Sequence, residues 1–168
     1  MLIRRLLAAD ASVFQALRLA ALRDAPSAFS SSYEEECDTA LATIEANLAS
    51  RNLFGAFDGT ALAGMVGVGR DKGSKLQHKG YIAAMYVAGE HRGKGAGRFL
   101  LEHALAFAEA MDGLRQLTLV VTAGNAPAIS LYESMGFVVY GTEPGALFAD
   151  GVFHDSVLMV HRLGTLLR

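Results

Sequence analysis

Cysteine is nearly absent: Cys37 stands alone, which excludes an intrachain disulfide framework and suits a reducing cytosol. With no Cys-His pattern around it, Cys37 reads as a small packed side chain and not as a nucleophile. The five histidines are not arranged as HExxH, and no CxxC-type spacing accompanies them, so no metal site is expected. No apolar run reaches the roughly 18 residues that a membrane helix requires. Asp10 interrupts the apolar start MLIRRLLAAD too early for a secretory signal. A cytoplasmic protein with no membrane partner is therefore expected. The net charge of −2 supplies no overall attraction to nucleic acid, and no nucleic-acid partner is expected.

What is present points to a folded enzyme-sized domain. Of 168 residues, 52% are hydrophobic and 19% charged, which disfavours disorder and allows one sizeable core. No internal repeat, low-complexity tract or linker divides the chain, so a single domain over residues 1–168 is expected.

Leu2 to Leu6 reads as a first strand. Asp10 is placed to cap a helix with Phe14, Leu17 and Ala21 on one face, ending before Pro26. After a polar stretch, Thr39 is placed to cap a second helix carrying Leu41, Ile44 and Leu48. LFGAF and ALAGMVGVG flank Asp58-Gly59, a hairpin signal. GYIAAMYV reads as a buried strand, followed by a glycine-rich loop and a helix to about Met111. QLTLVVT is a strand. NAPAISLYESMG is a short helix with Asn125 as cap, Pro127 in its first turn and Gly136 at its stop. FVVYGTE and VFHDSVLMVHRL close the chain as strands. The order predicts an α/β fold of the α+β type: a single mixed, largely antiparallel sheet flanked by helices.

The loop AGEHRGKGAGRFLLE, from Ala88 to Glu102, carries the chemistry. Glycines that open a helix let backbone N–H groups face a ligand, and the helix dipole favours an anion there. A P-loop would need Ser or Thr after the lysine, but Gly95 follows Lys94. A dinucleotide fingerprint starting at Gly93 and Gly95 would need a third glycine where Arg98 stands. Arg92, Lys94 and Arg98 remain placed to neutralise a pyrophosphate, against the plainer reading of a glycine-rich turn with solvated basic residues.

Arg92-Gly93-Lys94-Gly95-Ala96-Gly97 resembles the R-x-x-G-x-G motif of the GNAT N-acetyltransferases. Asn125 followed by AISLYESMGF, ending at Phe137, resembles the N-x-x-A-x-x-L-Y-x-x-x-G-F block of the same family. The element order matches over essentially the whole chain, while the specific motifs lie between Met85 and Phe137. The resemblance implies the acyl-CoA N-acyltransferase fold, with acetyl-CoA as cosubstrate and its pyrophosphate on Arg92 through Arg98. It also implies that Met85, Tyr86 and Val87 offer backbone groups to the pantetheine arm, the alternative being ordinary ladder residues. Asn125 resembles the asparagine that touches this arm, and equally reads as a helix cap. Tyr132 resembles the tyrosine that protonates the departing thiolate, against a plain core aromatic. The family often pairs through its later strands, so a homodimer is also implied.

The general base is not evident. Family members that acetylate protein N-termini often carry a glutamate five residues before Asn125, where this chain has Val120. By residue type alone, Glu34, Glu35, Glu36, Tyr86, His154 and Asp155 are candidates. The acidic run YEEECD reads first as a capping box, Ser31 with Glu34 or Ser32 with Glu35, and second as an attractor for a cationic acceptor. His154-Asp155 reads as a surface pair. With no suitable nucleophile, an amine of unidentified structure is expected to attack the thioester directly. The alternative is an acetyl-CoA-binding sensor without turnover.

Overall fold

The structure, a computed structural model, describes residues 1–164. Seven strands form one sheet in the order β1-β2-β3-β4-β5-β7-β6. They are β1 (Leu2–Arg5), β2 (Asn52–Asp58), β3 (Ala61–Arg70), β4 (Lys79–Val87), β5 (Gln116–Thr122), β6 (Val138–Ala149) and β7 (Val152–Arg162). Helices α1 (Ala11–Asp24), α2 (Tyr33–Glu36) and α3 (Leu41–Ser50) precede β2; α4 (Ala96–Glu109) and α5 (Ala126–Ser134) flank β5. Only β4 and β5 run parallel, so the expected mixed, largely antiparallel sheet is what the chain forms.

Apolar spacing decides which helix covers which face. On α4, Leu100, Leu101, Ala104, Leu105 and Ala108 recur at helical spacing and are buried. They join Leu117, Leu119 and Val121, the odd positions of β5, in the larger core, together with Tyr132 and Phe137. The opposite face carries two smaller clusters. Ile44 and Leu48 of α3 pack with Leu6 and Leu53, and Leu17 and Ala21 of α1 pack with Met65 and Tyr86.

Strand β4 changes face partway along. Ile82 lies in the α4 core, yet so do Met85 and Val87, while Tyr86 packs against α1. Strict alternation would put Ile82 and Tyr86 on the same side. A β-bulge resolves the conflict: Gly67 pairs with Ala83 and Met65 with Tyr86, leaving Ala84 and Met85 opposite Val66 alone. Ala84 adopts φ +53°, a left-handed conformation uncommon for a residue with a Cβ. One inserted residue thus turns Tyr86 toward α1.

Several local expectations need correction. Asp10 precedes α1 but makes no cap hydrogen bond to it. Its carboxylate instead binds both Nη atoms of Arg4 at 2.8 Å and the Leu7 N–H at 2.8 Å, because the ion pair is the stronger partner. Thr39 does not cap α3, whose first turn follows Ala40; the Thr39 carbonyl accepts from Gln15 instead. The β2–β3 turn falls on Gly59-Thr60, since Asp58 still pairs with Ala61. Helix α4 ends at Glu109, two residues before Met111. Strand β6 continues well past Glu143 to Ala149. Pro144 is tolerated there because β6 is the edge strand and its register slips between Glu143 and Leu147.

Gly80 sits where β4 touches both neighbours, paired with Arg70 and with Leu117. A Cβ there would lie 2.6 Å from the Gly69 carbonyl oxygen and 3.0 Å from Leu117. Gly80→Ala is expected to destabilise the protein by about 1–3 kcal/mol, the range for overpacking. Gly89→Ala, with nothing near its added Cβ, should stay within about 0.5 kcal/mol of the parent. Urea unfolding midpoints of the two variants check this.

Candidate active site

The parallel pairing of β4 with β5 lasts three residues: Lys79–Gln116, Gly80–Leu117 and Tyr81–Thr118. Beyond Tyr81 and Thr118 the two strands diverge. β5 continues paired to β7 through Thr122, and β4 continues paired to β3 through Val87. Between them opens a gap whose edges carry backbone groups that no ladder satisfies. It joins a cleft of about 1300 Å³ on the α1–α3 face, lined among others by Phe29, Ala83, Ala84, Thr118 and Val120.

On the α4 side the gap meets the glycine-rich loop. Gly93 and Gly95 take φ +73° and +83°, positions that disfavour any side chain. Gly95 precedes α4, and the Phe99 N–H to Gly95 carbonyl bond at 3.0 Å is the first of the helix. The amides of Ala96, Gly97 and Arg98 lie before it and point out of the helix end, where an anion is favoured. Gly97 faces inward: a Cβ there would come within 3.2 Å of Leu131, 3.6 Å of Met85 and 3.8 Å of Val87. Its lack of a side chain lets α4 start hard against α5 and β4. Lys94 is exposed, while Arg98 spans to α5, donating to Ser134 Oγ at 3.1 Å and to Met135 Sδ at 3.3 Å.

Arg92 is engaged within the protein. Its Nε donates to the Val87 carbonyl at 2.9 Å, and its Nη2 donates to Asp24 Oδ2 at 2.5 Å. Tyr86 Oη donates to the same carboxylate oxygen at 3.1 Å, and the guanidinium lies 5.4 Å from the Tyr86 ring centre. The Arg92 and Tyr86 hydrogen bonds hold the Asp24 carboxyl below its usual range. Burial and Asp24 push the Tyr86 phenol up, and its hydroxyl is committed to the Asp24 carboxylate. Asp24 carried no signal in the sequence, because it lies far along the chain from the residues that it joins.

Helix α5 places the second motif. Asn125 Oδ1 accepts from the Ala128 N–H at 3.3 Å, so the capping reading holds and leaves the amide NH2 as a donor. Tyr132 is 6% exposed and meets Phe137 edge-on at 5.9 Å. Burial pushes its phenol up to about 12, keeping it protonated at any physiological pH.

The acceptor-side candidates separate. Ser32 and Glu35 form the capping box of α2: the Ser32 N–H donates to Glu35 at 2.7 Å and the Glu35 N–H to Ser32 at 3.3 Å. Glu34 is exposed and its carbonyl accepts the Cys37 thiol at 3.6 Å. Glu36 alone of the three lines the cleft, and Arg18 binds it at 2.9 and 2.7 Å, holding its carboxyl below the usual range. His154 does not reach the cleft wall, and Asp155 accepts from the Gly145 N–H at 2.8 Å. Val120 is 63% exposed and faces the cleft. Glu143 also lines it, in one ladder row with Ser156 and Thr122. No group of three or more metal-ligating side chains occurs among the described residues.

Comparison with known proteins bears on this geometry. The chain is 32% identical over 91 residues to YwnH of Bacillus subtilis (strain 168), named as a phosphinothricin acetyltransferase, covering 54% of this chain and 55% of YwnH. It is 33% identical over 78 residues to the spermidine N(1)-acetyltransferase of Vibrio cholerae, covering 46% and 45%. The match thus spans about half the length of these relatives. A GNAT-family acetyltransferase structure from Streptococcus pneumoniae superposes with a TM-score of 0.88 at 27% identity, covering 97% of this chain and 99% of that one. The family model of the acetyltransferase (GNAT) family matches residues 17–137, a span holding the strand gap, the glycine-rich loop and Tyr132, and the chain belongs to that family.

Proposed function

We propose that the protein transfers the acetyl group of acetyl-CoA to a primary amine by direct attack on the thioester. The observation that carries this reading is the gap between β4 and β5, open to the amide cradle of α4 on one side and to the acceptor cleft on the other. Acetyl-CoA supplies an activated acetyl thioester when bound. The amides of Ala96, Gly97 and Arg98, with the Lys94 and Arg98 side chains, would hold its pyrophosphate, and Gly93 and Gly95 leave that approach open. Arg92 contributes by tying the loop to Asp24 and β4. The unpaired edge of Met85, Tyr86 and Val87 would line the pantetheine arm, with the Val87 carbonyl already taken by Arg92. Asn125 retains its NH2 for the same arm.

Tyr132 would donate a hydrogen bond and then a proton to the departing thiolate, and burial keeps the phenol in the protonated form that this role needs. The acceptor must arrive uncharged. Its proton would leave through the open cleft, where Glu143 is a carboxylate without a hydrogen-bond or ion-pair partner among the described residues. A cytoplasmic location accords with the single cysteine. Val138, Val139 and Tyr140 on the β6 edge are exposed, which supports a homodimer through this edge. Sedimentation of the parent as a dimer and of Val139→Lys as a monomer is the expected result.

Tyr132→Phe should lower kcat by about 100-fold or more, the scale of a lost general acid, with the acetyl-CoA Kd unchanged by calorimetry. An acetyl-CoA sensor would show no rate to lose. Because the phenol titrates near 12, the parent should show no alkaline loss of kcat below about pH 10, whereas a titrating acid of ordinary phenol pKa would begin to fail there. Gly95→Glu should abolish acetyl-CoA binding. Gly59→Glu imposes the same left-handed strain, at φ +60°, in open space; it should keep that affinity.

A further inference from the structure

The large apolar side chains of α4 pack inward except one. Leu100, Leu101 and Leu105 are buried and Phe107 packs on the same core, whereas Phe99 is 47% exposed. It heads the outer stripe of the helix, followed at helical spacing by Glu102, Ala106 and Glu109, which are exposed as well. A large apolar residue four places after a helix cap commonly packs on an apolar residue just before the cap. Gly95 is the cap here and Lys94 precedes it, so the ring has no apolar staple there. Single exposed apolar residues are ordinary on a protein surface. What distinguishes Phe99 is its place.

The ring leans toward the start of the helix. A Cβ built on Gly95 would lie 3.3 Å from Phe99 Cε2 and 3.8 Å from its Cδ2 and Cζ, which are its nearest neighbours. Helix side chains tilt toward the N-terminus, and this carries the ring over the turn that holds the Ala96, Gly97 and Arg98 amides. Gly97 faces the opposite way, toward Leu131 and Met85. Arg98 reaches across to Ser134 and Met135 of α5. The amide cradle is therefore flanked by α5 on its inner side and by an aromatic ring on its solvent side.

We propose that Phe99 is the platform on which the adenine of acetyl-CoA stacks. This rests on the acetyl-CoA reading of the cradle and extends it to the far end of the cosubstrate. A single ribose joins the pyrophosphate to the base, and one helical turn, about 5.4 Å, separates Gly95 from Phe99. A purine and a phenyl ring both present flat faces. Stacking them takes apolar surface of each out of water and needs no hydrogen bond to the edge of the base. The contact is blind to the thioester end, so it adds affinity only for ligands that carry the base.

The test compares acetyl-CoA with S-acetyl-4′-phosphopantetheine, which keeps the thioester and lacks the adenosine, by calorimetry. Phe99→Ala should raise the Kd of acetyl-CoA at least about fivefold, the lower end of what one base–aromatic stack is worth. It should leave the Kd of the truncated thioester unchanged, and Phe99→Tyr should retain the parent affinity for both. The chain contains no tryptophan, so Phe99→Trp places a single fluorescent reporter at the ring itself. Its emission should fall when acetyl-CoA binds and hold steady with the truncated thioester. Acetyl-CoA binding equally tight to Phe99→Ala and the parent overturns the platform. So does an equal loss for both ligands, which would make the ring a packing element for Gly95. Acetyl-CoA bound to Phe99→Trp without quenching overturns it too, and decides the matter if the truncated thioester binds too weakly to measure. Failure of the parent to bind acetyl-CoA overturns the acetyl-CoA reading itself.

Discussion

Everything in the site follows from the parting of two strands. A parallel pair normally continues while hydrogen bonds reward it, yet β4 leaves β5 after three residue pairs. The bulge at Ala84 lies just beyond that point, where increased local twist turns β4 away. The resulting opening is a breach in the middle of a sheet, where unpaired backbone groups would ordinarily be costly. The breach opens to the cleft on one side and faces the free amides at the start of α4 on the other. The fold thus keeps polar backbone exposed within the sheet, between β4 and β5, as well as at its outer edges.

Two electrostatic devices surround the opening, and they work in opposite ways. At Asp24, one carboxylate oxygen gathers Arg92 and Tyr86, fastening the end of α1 to the loop before α4. The pair is substantially exposed, so its value lies less in stability than in fixing where the loop sits. At Tyr132 no charge is near, and burial alone raises the phenol. A group tuned by desolvation alone keeps its proton and remains a hydrogen-bond donor at neutral pH.

Legibility in the sequence tracked how local the determining physics was. The loop, α4, β5 and α5 were readable because glycine positions, a helical apolar stripe and an Asn-x-Pro start act within a few residues. Strand β5 was placed to the residue for the same reason. Asp10 was misjudged because a capable cap was already committed to an arginine on β1, and Thr39 because α3 starts one residue later, with Ala40 at its cap position. The length of β6 was missed because Pro144 signals a break unless the strand is known to be an edge. Asp24 was invisible, since its partners come together only through the sheet order. The acidic run was the instructive case: three adjacent glutamates read as one feature and separated into a solvated side chain, a cap and an ion pair.

The alternation along β5 separates two tasks on a single strand. Leu117, Leu119 and Val121 are sealed beneath α4 and α5, while Thr118, Val120 and Thr122 look into the cleft. Within the second set, Thr118 and Thr122 tie their hydroxyls to the Gly80 and Ser27 carbonyls, whereas an exchange at exposed Val120 leaves both the packed interior and these bonds untouched and escapes the stability penalty that ordinarily filters mutations. Residues of the first set are constrained by their neighbours on every side. A lineage built on this strand can therefore vary the cleft wall at Val120 while its interior stays nearly frozen.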